Sequence, residues 1–274
     1  MINDELKLNV IVSKSNSTIM KISKLAEKKY RSAEKLFLCE GTKLFKEAFE
    51  FGVNIKCVVV RNDVVFDDVC VKMLKECLKK QVNVICVSEE VFKKLTTEQA
   101  PQGIITVCNY LGSQHRFLSN EIVDYSNEKI MFLESVRDPG NIGTIIRNAV
   151  AFNFDRLILS NDCVDLYSPK VVRATMGGIF KIKIDIASDV KTTILNLKKS
   201  GKRVLSSSLG DKSLVLGKDK ITKNDAIVIG NEGHGVSRDV ISLSDNTIFI
   251  PMEQNTESLN ASVAATIFMW EQYK

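Results

Sequence analysis

Residues 247–274 read TIFIPMEQNTESLNASVAATIFMWEQYK, and their order of strand, loop and helix sets the pattern for the rest of the chain. Thr247, Ile248, Phe249 and Ile250 form a short β-branched and aromatic run that Pro251 ends, which spells a buried strand. A polar loop over 253–257 follows. Ser258, Leu259 and Asn260 then open a helix to about Tyr273, with Ala261, Ala264 and Ala265 on its early turns. Small residues at that spacing let a helix press its backbone against a neighbour. A helix mouth with free N–H groups also suits a small polar ligand. Taken alone, Ser258 reads as well as an N-cap.

Upstream, the same strand and helix alternation repeats. Strands are expected at 130–134, 156–159, 179–184, 203–207 and 225–230. Helices are expected at 142–152, from Ser168-Pro169 to Gly177-Gly178, and at 188–200. That order describes parallel strands joined by crossover helices. A second alternating series runs from 17 to 110. It has strands at 36–39, 55–61, 82–87 and 103–110, with helices at 17–31, 42–51, 67–80 and 88–95, and it describes a smaller α/β domain. Residues 1–16 read as a flexible leader. Residues 111–128, LGSQHRFLSNEIVDYSNE, read as a polar linker with His115 exposed to solvent. The expected division is leader 1–16, domain 17–110, linker 111–128 and domain 129–274.

Composition narrows the chemistry. The 274 residues are 45% hydrophobic and 26% charged, an ordinary globular balance, and no apolar run is long enough to span a membrane. The N-terminus MINDELKLNV is not a secretory signal, so a cytoplasmic location is expected. Seven cysteines without a CxxC pair read as buried thiols rather than disulfides or zinc ligands. With only His115 and His234, a histidine-rich metal site is excluded, and no metal is expected. The net charge is +5. Residues 1–35 hold 8 Lys and Arg against 4 Asp and Glu, a basic leading segment suited to a polyanion. Lys21, Lys24 and Lys28 share a face of the first helix, as a solvated stripe or a phosphate-facing one.

Three loops at strand ends carry the chemistry. The first is ESVRDPGNIGTIIRNA, residues 134–149, where Arg147 stands out on an apolar helix and needs an anionic partner such as Asp138 or a phosphate. The second is IGNEGHGVS, residues 229–237. It matches neither the P-loop nor the dinucleotide fingerprint, and Glu232 suits a ligand with positive charge or donor groups. The third is 250–260. In open α/β sheets ligands bind at the C-terminal ends of parallel strands, so the three loops are expected to converge.

DPGNIGTIIRNA, IVIGNEGHG and IPMEQNTESLNASVAA together resemble, in order and spacing, the three motifs of the SpoU (TrmH-like) RNA ribose 2′-O-methyltransferases of the SPOUT superfamily. FLCEGTKLFKEAF and TTEQAPQGIITV are similar to that family's N-terminal substrate-binding domain, which has a ribosomal-protein-like α/β fold. The resemblance covers residues from about Asn16 onward. It implies a C-terminal α/β/α domain with a trefoil knot, a homodimer with the active site at its interface, and S-adenosylmethionine as cofactor. It assigns cofactor contacts to Gly230, Asn231, Glu232, Gly235, Ile250 and Leu259. It places Arg147, Ser258, Asn141 and Asn260, with Glu232, around the reacting ribose. The expected partner is RNA, ribosomal RNA favoured over transfer RNA, and a thiostrepton-type resistance methyltransferase remains open. Two other readings compete: a non-catalytic RNA-binding or assembly factor, and a serine hydrolase pairing Ser258 with His234, which lacks a G-x-S-x-G elbow.

Overall fold

The computed structural model describes residues 2–112, 114–118, 122–210, 212–253 and 258–274. Most of the loop expected over 253–257 therefore lies outside the described residues. The chain forms two compact units. The first comprises residues 1–111 and 165–180; the second comprises 112–164 and 181–274.

In the first unit the strands are β1 (Val10–Ile11), β2 (Leu36–Glu40), β3 (Ile55–Arg61), β4 (Asn83–Val87) and β5 (Ile104–Asn109). They form a mixed sheet in the order β1-β4-β3-β5-β2, with β5 antiparallel to both β2 and β3. The β3 sequence IKCVVVR shows why both faces are covered. Val58 and Val60 enter a cluster with Phe45, Val71 and Leu74, while Cys57 and Val59 enter another with Ile19, Ile22 and Phe92. Successive strand residues point to opposite faces, so a continuous apolar run requires cover on both.

Three expectations for this unit are corrected. The described part of the expected leader, residues 2–16, is folded. Helix Ile2–Leu6 buries Ile2 and Leu6 in the Phe45 cluster, and β1 adds an edge to β4. The helix expected over 17–31 is two helices, Ser17–Lys24 and Lys28–Glu34, so Lys21, Lys24 and Lys28 do not share one continuous face. Its cap is Asn16, whose side chain accepts from the N–H groups of Thr18 and Ile19. The domain expected from 129 onward is also not a single compact block, because residues 165–180 belong to the first unit. Asp165 pairs there with the buried Arg31, which also donates to the Leu25 and Ala26 carbonyls. Tyr167 stacks on Tyr110 with ring centroids 3.8 Å apart.

The second unit is an eight-stranded parallel sheet. Its strands are β6 (His115–Leu118), β7 (Ile130–Leu133), β8 (Arg156–Ser160), β9 (Lys183–Ala187), β10 (Arg203–Ser207), β11 (Leu214–Val215), β12 (Asp225–Ile229) and β13 (Asn246–Phe249). Their order is β11-β13-β10-β12-β7-β8-β9-β6. Part of the expected linker is thus a strand, and His115 at its head is buried rather than exposed. The polar stretch folds because Arg116 donates a bidentate pair to the buried Asp185 at 2.9 and 2.8 Å, which also accepts from Arg156 and from the Tyr125 hydroxyl. The strand expected at 179–184 is displaced. Ile179 and Phe180 lie in a 3-10 turn, Gly178–Phe180, and the strand begins at Lys183.

All seven cysteines are free and buried, with the Cys39 and Cys108 sulfurs 3.9 Å apart. Among the described residues no helix is long and apolar enough to cross a membrane. No group of three or more His, Cys, Asp or Glu among them is placed to hold a metal ion.

Candidate active site

The site lies in the second unit, where β12, β13 and β10 end. The helix Pro139–Ala151 follows β7. Its N-cap is Asp138, whose carboxylate accepts the Asn141 N–H at 2.7 Å, and Pro139 occupies the first turn. Asp138 therefore serves the helix mouth, and Arg147 has no ion pair with it. Arg147 is exposed and makes no hydrogen bond or ion pair among the described residues.

The 229–237 loop is held from several sides. The N–H groups of Asn231 and Gly235 each donate to the other residue's carbonyl, at 3.0 and 2.9 Å. Gly230 sits under that closure. A Cβ there would lie 2.2 Å from Gly235 C and Val236 N, so only glycine fits. Asn231 donates through Nδ2 to the Ser135 carbonyl at 2.8 Å and accepts the Gly233 and His234 N–H groups on Oδ1. The Ser237 N–H and hydroxyl donate to the buried Glu134 carboxylate at 2.9 and 2.6 Å. Glu134 is an organising residue that pattern reading missed. Its one visible signal is a carboxylate directly after the apolar strand β7.

Glu232 joins the first motif to the second. Its Oε1 accepts from Asn141 Nδ2 at 2.9 Å and from the Asp138 N–H at 3.4 Å. Partial burial pushes its carboxyl pKa up, but the Asn141 side chain and the backbone donors outweigh this and leave it below the ordinary glutamate range. The carboxylate is thus held ionised.

The third motif supplies the opposite wall. The last helix is Ala261–Tyr273, and its N-cap is Asn260, which accepts from the N–H groups of Ser262 and Val263 and from the Ser262 hydroxyl. Ser258 is therefore not the cap. It is exposed and makes no hydrogen bond among the described residues, including none to His234, so the geometry of a serine hydrolase is missing. The last helix packs on Pro139–Ala151, where Asn148 Nδ2 donates to Thr266 Oγ1 at 2.7 Å.

Gly230, Asn231, Glu232, Gly235, Ile250, Ser258 and Leu259 line one cavity of about 420 Å³. Asn141 stands behind it through Glu232. Arg147 and Asn260 are not in its lining. Ser207, Ser208 and Leu209, at the end of β10, complete the wall and were not expected from sequence, since SSLG there carries no motif. Leu209, Ile250, Met252 and Leu259 give apolar walls, and Glu232 supplies one fixed negative charge. A small organic cation with a flat apolar part fits this lining.

Residues 128–270, more than half of the chain, match the model of the SpoU rRNA Methylase family. The chain belongs to that family. Residues 16–106 match an MRM3-like substrate binding domain. Among relatives of this SpoU methylase, the 23S rRNA (guanosine(2553)-2′-O)-methyltransferase RlmP of Bacillus subtilis is 27% identical, over 95% of this chain and 97% of the relative. The mitochondrial rRNA methyltransferase 3A of Danio rerio is 26% identical, over 93% of this chain and 68% of the relative. An AdoMet-bound rRNA methyltransferase from Sinorhizobium meliloti shares the fold with a TM-score of 0.83 and 28% identity, over 97% of each chain.

Proposed function

We propose that this SpoU methylase transfers a methyl group from S-adenosylmethionine to a ribose 2′-hydroxyl of ribosomal RNA. The observation that carries the reading is the meeting of the three motifs. The second and third line one cavity, and the first is tied to it through Asn141 and Glu232. The similarity to ribosomal RNA methyltransferases over nearly the whole chain supports ribosomal over transfer RNA.

The cavity lining fits the cofactor, which when bound supplies an electrophilic methyl on a sulfonium. Backbone at Gly230, Ile250 and Leu259 would hold it. Glu232, kept ionised, gives positive charge a favourable surrounding and would repel a phosphate placed there. Asn231 acts indirectly, since its side chain is spent on shaping the loop. Asn260 positions the last helix. Ser258 keeps its hydroxyl available for a ribose at the cavity edge.

Arg147 is a poor base, because a guanidinium does not give up its proton in this pH range. It serves instead as an anchor for the target phosphate and as a stabiliser of the developing alkoxide. Its exposure outside its own chain's cavity supports a homodimer in which each Arg147 completes the partner's site. The exposed Val263, Trp270 and Tyr273 of the last helix give such a dimer an apolar face.

Calorimetry with S-adenosylmethionine tests the cofactor, and mapping of 2′-O-methyl marks in RNA from cells with and without the gene tests the reaction. Absence of cofactor uptake, or an unchanged pattern of marks, overturns the proposal. Mixing inactive Arg147→Ala with inactive Ser258→Ala chains tests the shared site. Recovered activity supports it, and persistent inactivity counts against it.

A further inference from the structure

A groove in the first unit lies far from the three motifs in sequence. It is about 660 Å³ and opens beside the helices Ser17–Lys24 and Lys28–Glu34. Its floor is apolar: Leu36 is partly exposed there, and Cys57, Ile85 and Val107 of the neighbouring strands lie buried beneath it. Its rim carries Lys21, Lys24 and Lys56 against the single carboxylate of Glu34. None of these three lysines forms an ion pair among the described residues. Tyr30 stands at the edge, half-buried, with the Lys24 and Lys29 ammonium groups 5.3 and 5.9 Å from its ring centroid.

An apolar slot, an aromatic ring and unpaired cations gathered at one opening match the parts of a nucleotide. A flat base needs a desolvated floor and a ring to lie against, and its phosphate needs ammonium groups. The volume lies within the range of ligand-sized clefts. We infer that this groove receives an unpaired nucleotide of the substrate RNA, with the base between the partly exposed Leu36 and the ring of Tyr30, and the backbone phosphates on Lys21, Lys24 and Lys56. The inference rests on the proposed RNA substrate and adds a site at which single-stranded RNA is told from duplex. The basic excess of residues 1–35 lies in the segment that builds the groove.

The test uses the full chain, a mixed-sequence single-stranded oligoribonucleotide and the duplex of the same sequence. Tyr30→Ala should weaken single-strand binding by on the order of tenfold, and Tyr30→Phe should restore it, because stacking needs the ring and not the hydroxyl. Lys21→Gln with Lys56→Gln should lower the salt dependence of single-strand binding by about 0.7 for each phosphate no longer neutralised. Photo-crosslinking with 4-thiouridine RNA should recover the peptides that contain Tyr30. Unchanged affinity and salt slope in these variants, or crosslinks that avoid the groove, overturn the inference. So does equal binding of single strand and duplex. Uptake of S-adenosylmethionine, measured on the same preparations, separates this outcome from failure of the methyltransferase reading: any of these results with intact uptake sinks the groove alone.

Discussion

The 229–237 loop and the side chains of Arg147 and Ser258 belong to the same unit, yet they treat their polar groups in opposite ways. In the loop, Asn231, Glu232 and Ser237 are all engaged with other parts of the chain, and Gly230 has no space for a methyl group. Arg147 and Ser258 carry strong hydrogen-bonding groups with no partner among the described residues. A preorganised wall costs no reordering when a ligand arrives, so it suits a cofactor bound again at every turnover. Groups left without partners suit a reactant that arrives from outside, which in the proposed reaction is an RNA ribose and its phosphate. In the proposed reaction the two halves of the site would separate the holding of one reactant from the reception of the other.

The sharpest way to break this contrast is Gly230→Ala. The added carbon meets backbone at 2.2 Å and cannot be relieved by a side-chain rotation. Cofactor affinity should fall by more than a hundredfold, and stability by about 1–3 kcal/mol or more, the usual cost of overpacking. Calorimetry and thermal unfolding read both. Near-normal values would show that the loop is not rigid. Arg147→Ala should do the reverse. Transfer of a labelled methyl group should fall by roughly a hundred- to a thousandfold, the usual effect of removing one transition-state donor. Cofactor affinity should stay nearly intact. A variant turning over near the parent rate removes Arg147 from the reaction.

Acid offers a gentler probe. The folded pKa of Glu232 is depressed, so its contribution is complete above the ordinary glutamate value of about 4.3 and is lost as pH falls through the lower folded value. Cofactor affinity should therefore hold from neutrality to that range and decline below it. Glu232→Gln should weaken binding at neutral pH and flatten the decline. Equal acid sensitivity in both proteins would place it elsewhere. Smallest of all, Asn260→Ala should cost about 1 kcal/mol through the lost cap, and Asn260→Asp should recover most of it. If the Asp variant is stable but inactive, Asn260 also touches the ribose.

Much of this was readable in the residues. IKCVVVR gives β3 at the expected bounds because a continuous β-branched run has few other ways to bury itself. The three glycine-rich or proline-stopped loops fall at strand ends because turn chemistry is local. Other features depend on distant partners. HRFL becomes β6 through Asp185, about seventy residues away, and a polar stretch without periodicity cannot announce that. The leader folds because Ile2 and Leu6 meet a core made by later residues. Ile179 and Phe180 read as a strand by propensity, but burial in a 3-10 turn satisfies the same apolar side chains. Arg147 was expected to need an anion, and Asp138 was the nearest candidate. That carboxylate is claimed instead by a helix mouth.

The cysteines give the molecule an internal stopwatch. Burial pushes the thiols of Cys57, Cys70 and Cys77 up to about 11, and all seven are shut away from solvent, so alkylating reagents should react only when the chain opens. Cys163 is the one thiol in the second unit, and the other six lie in the first. Labelling times read by mass spectrometry at Cys163 and at the remaining sites would clock the breathing of each unit separately, without adding a single dye.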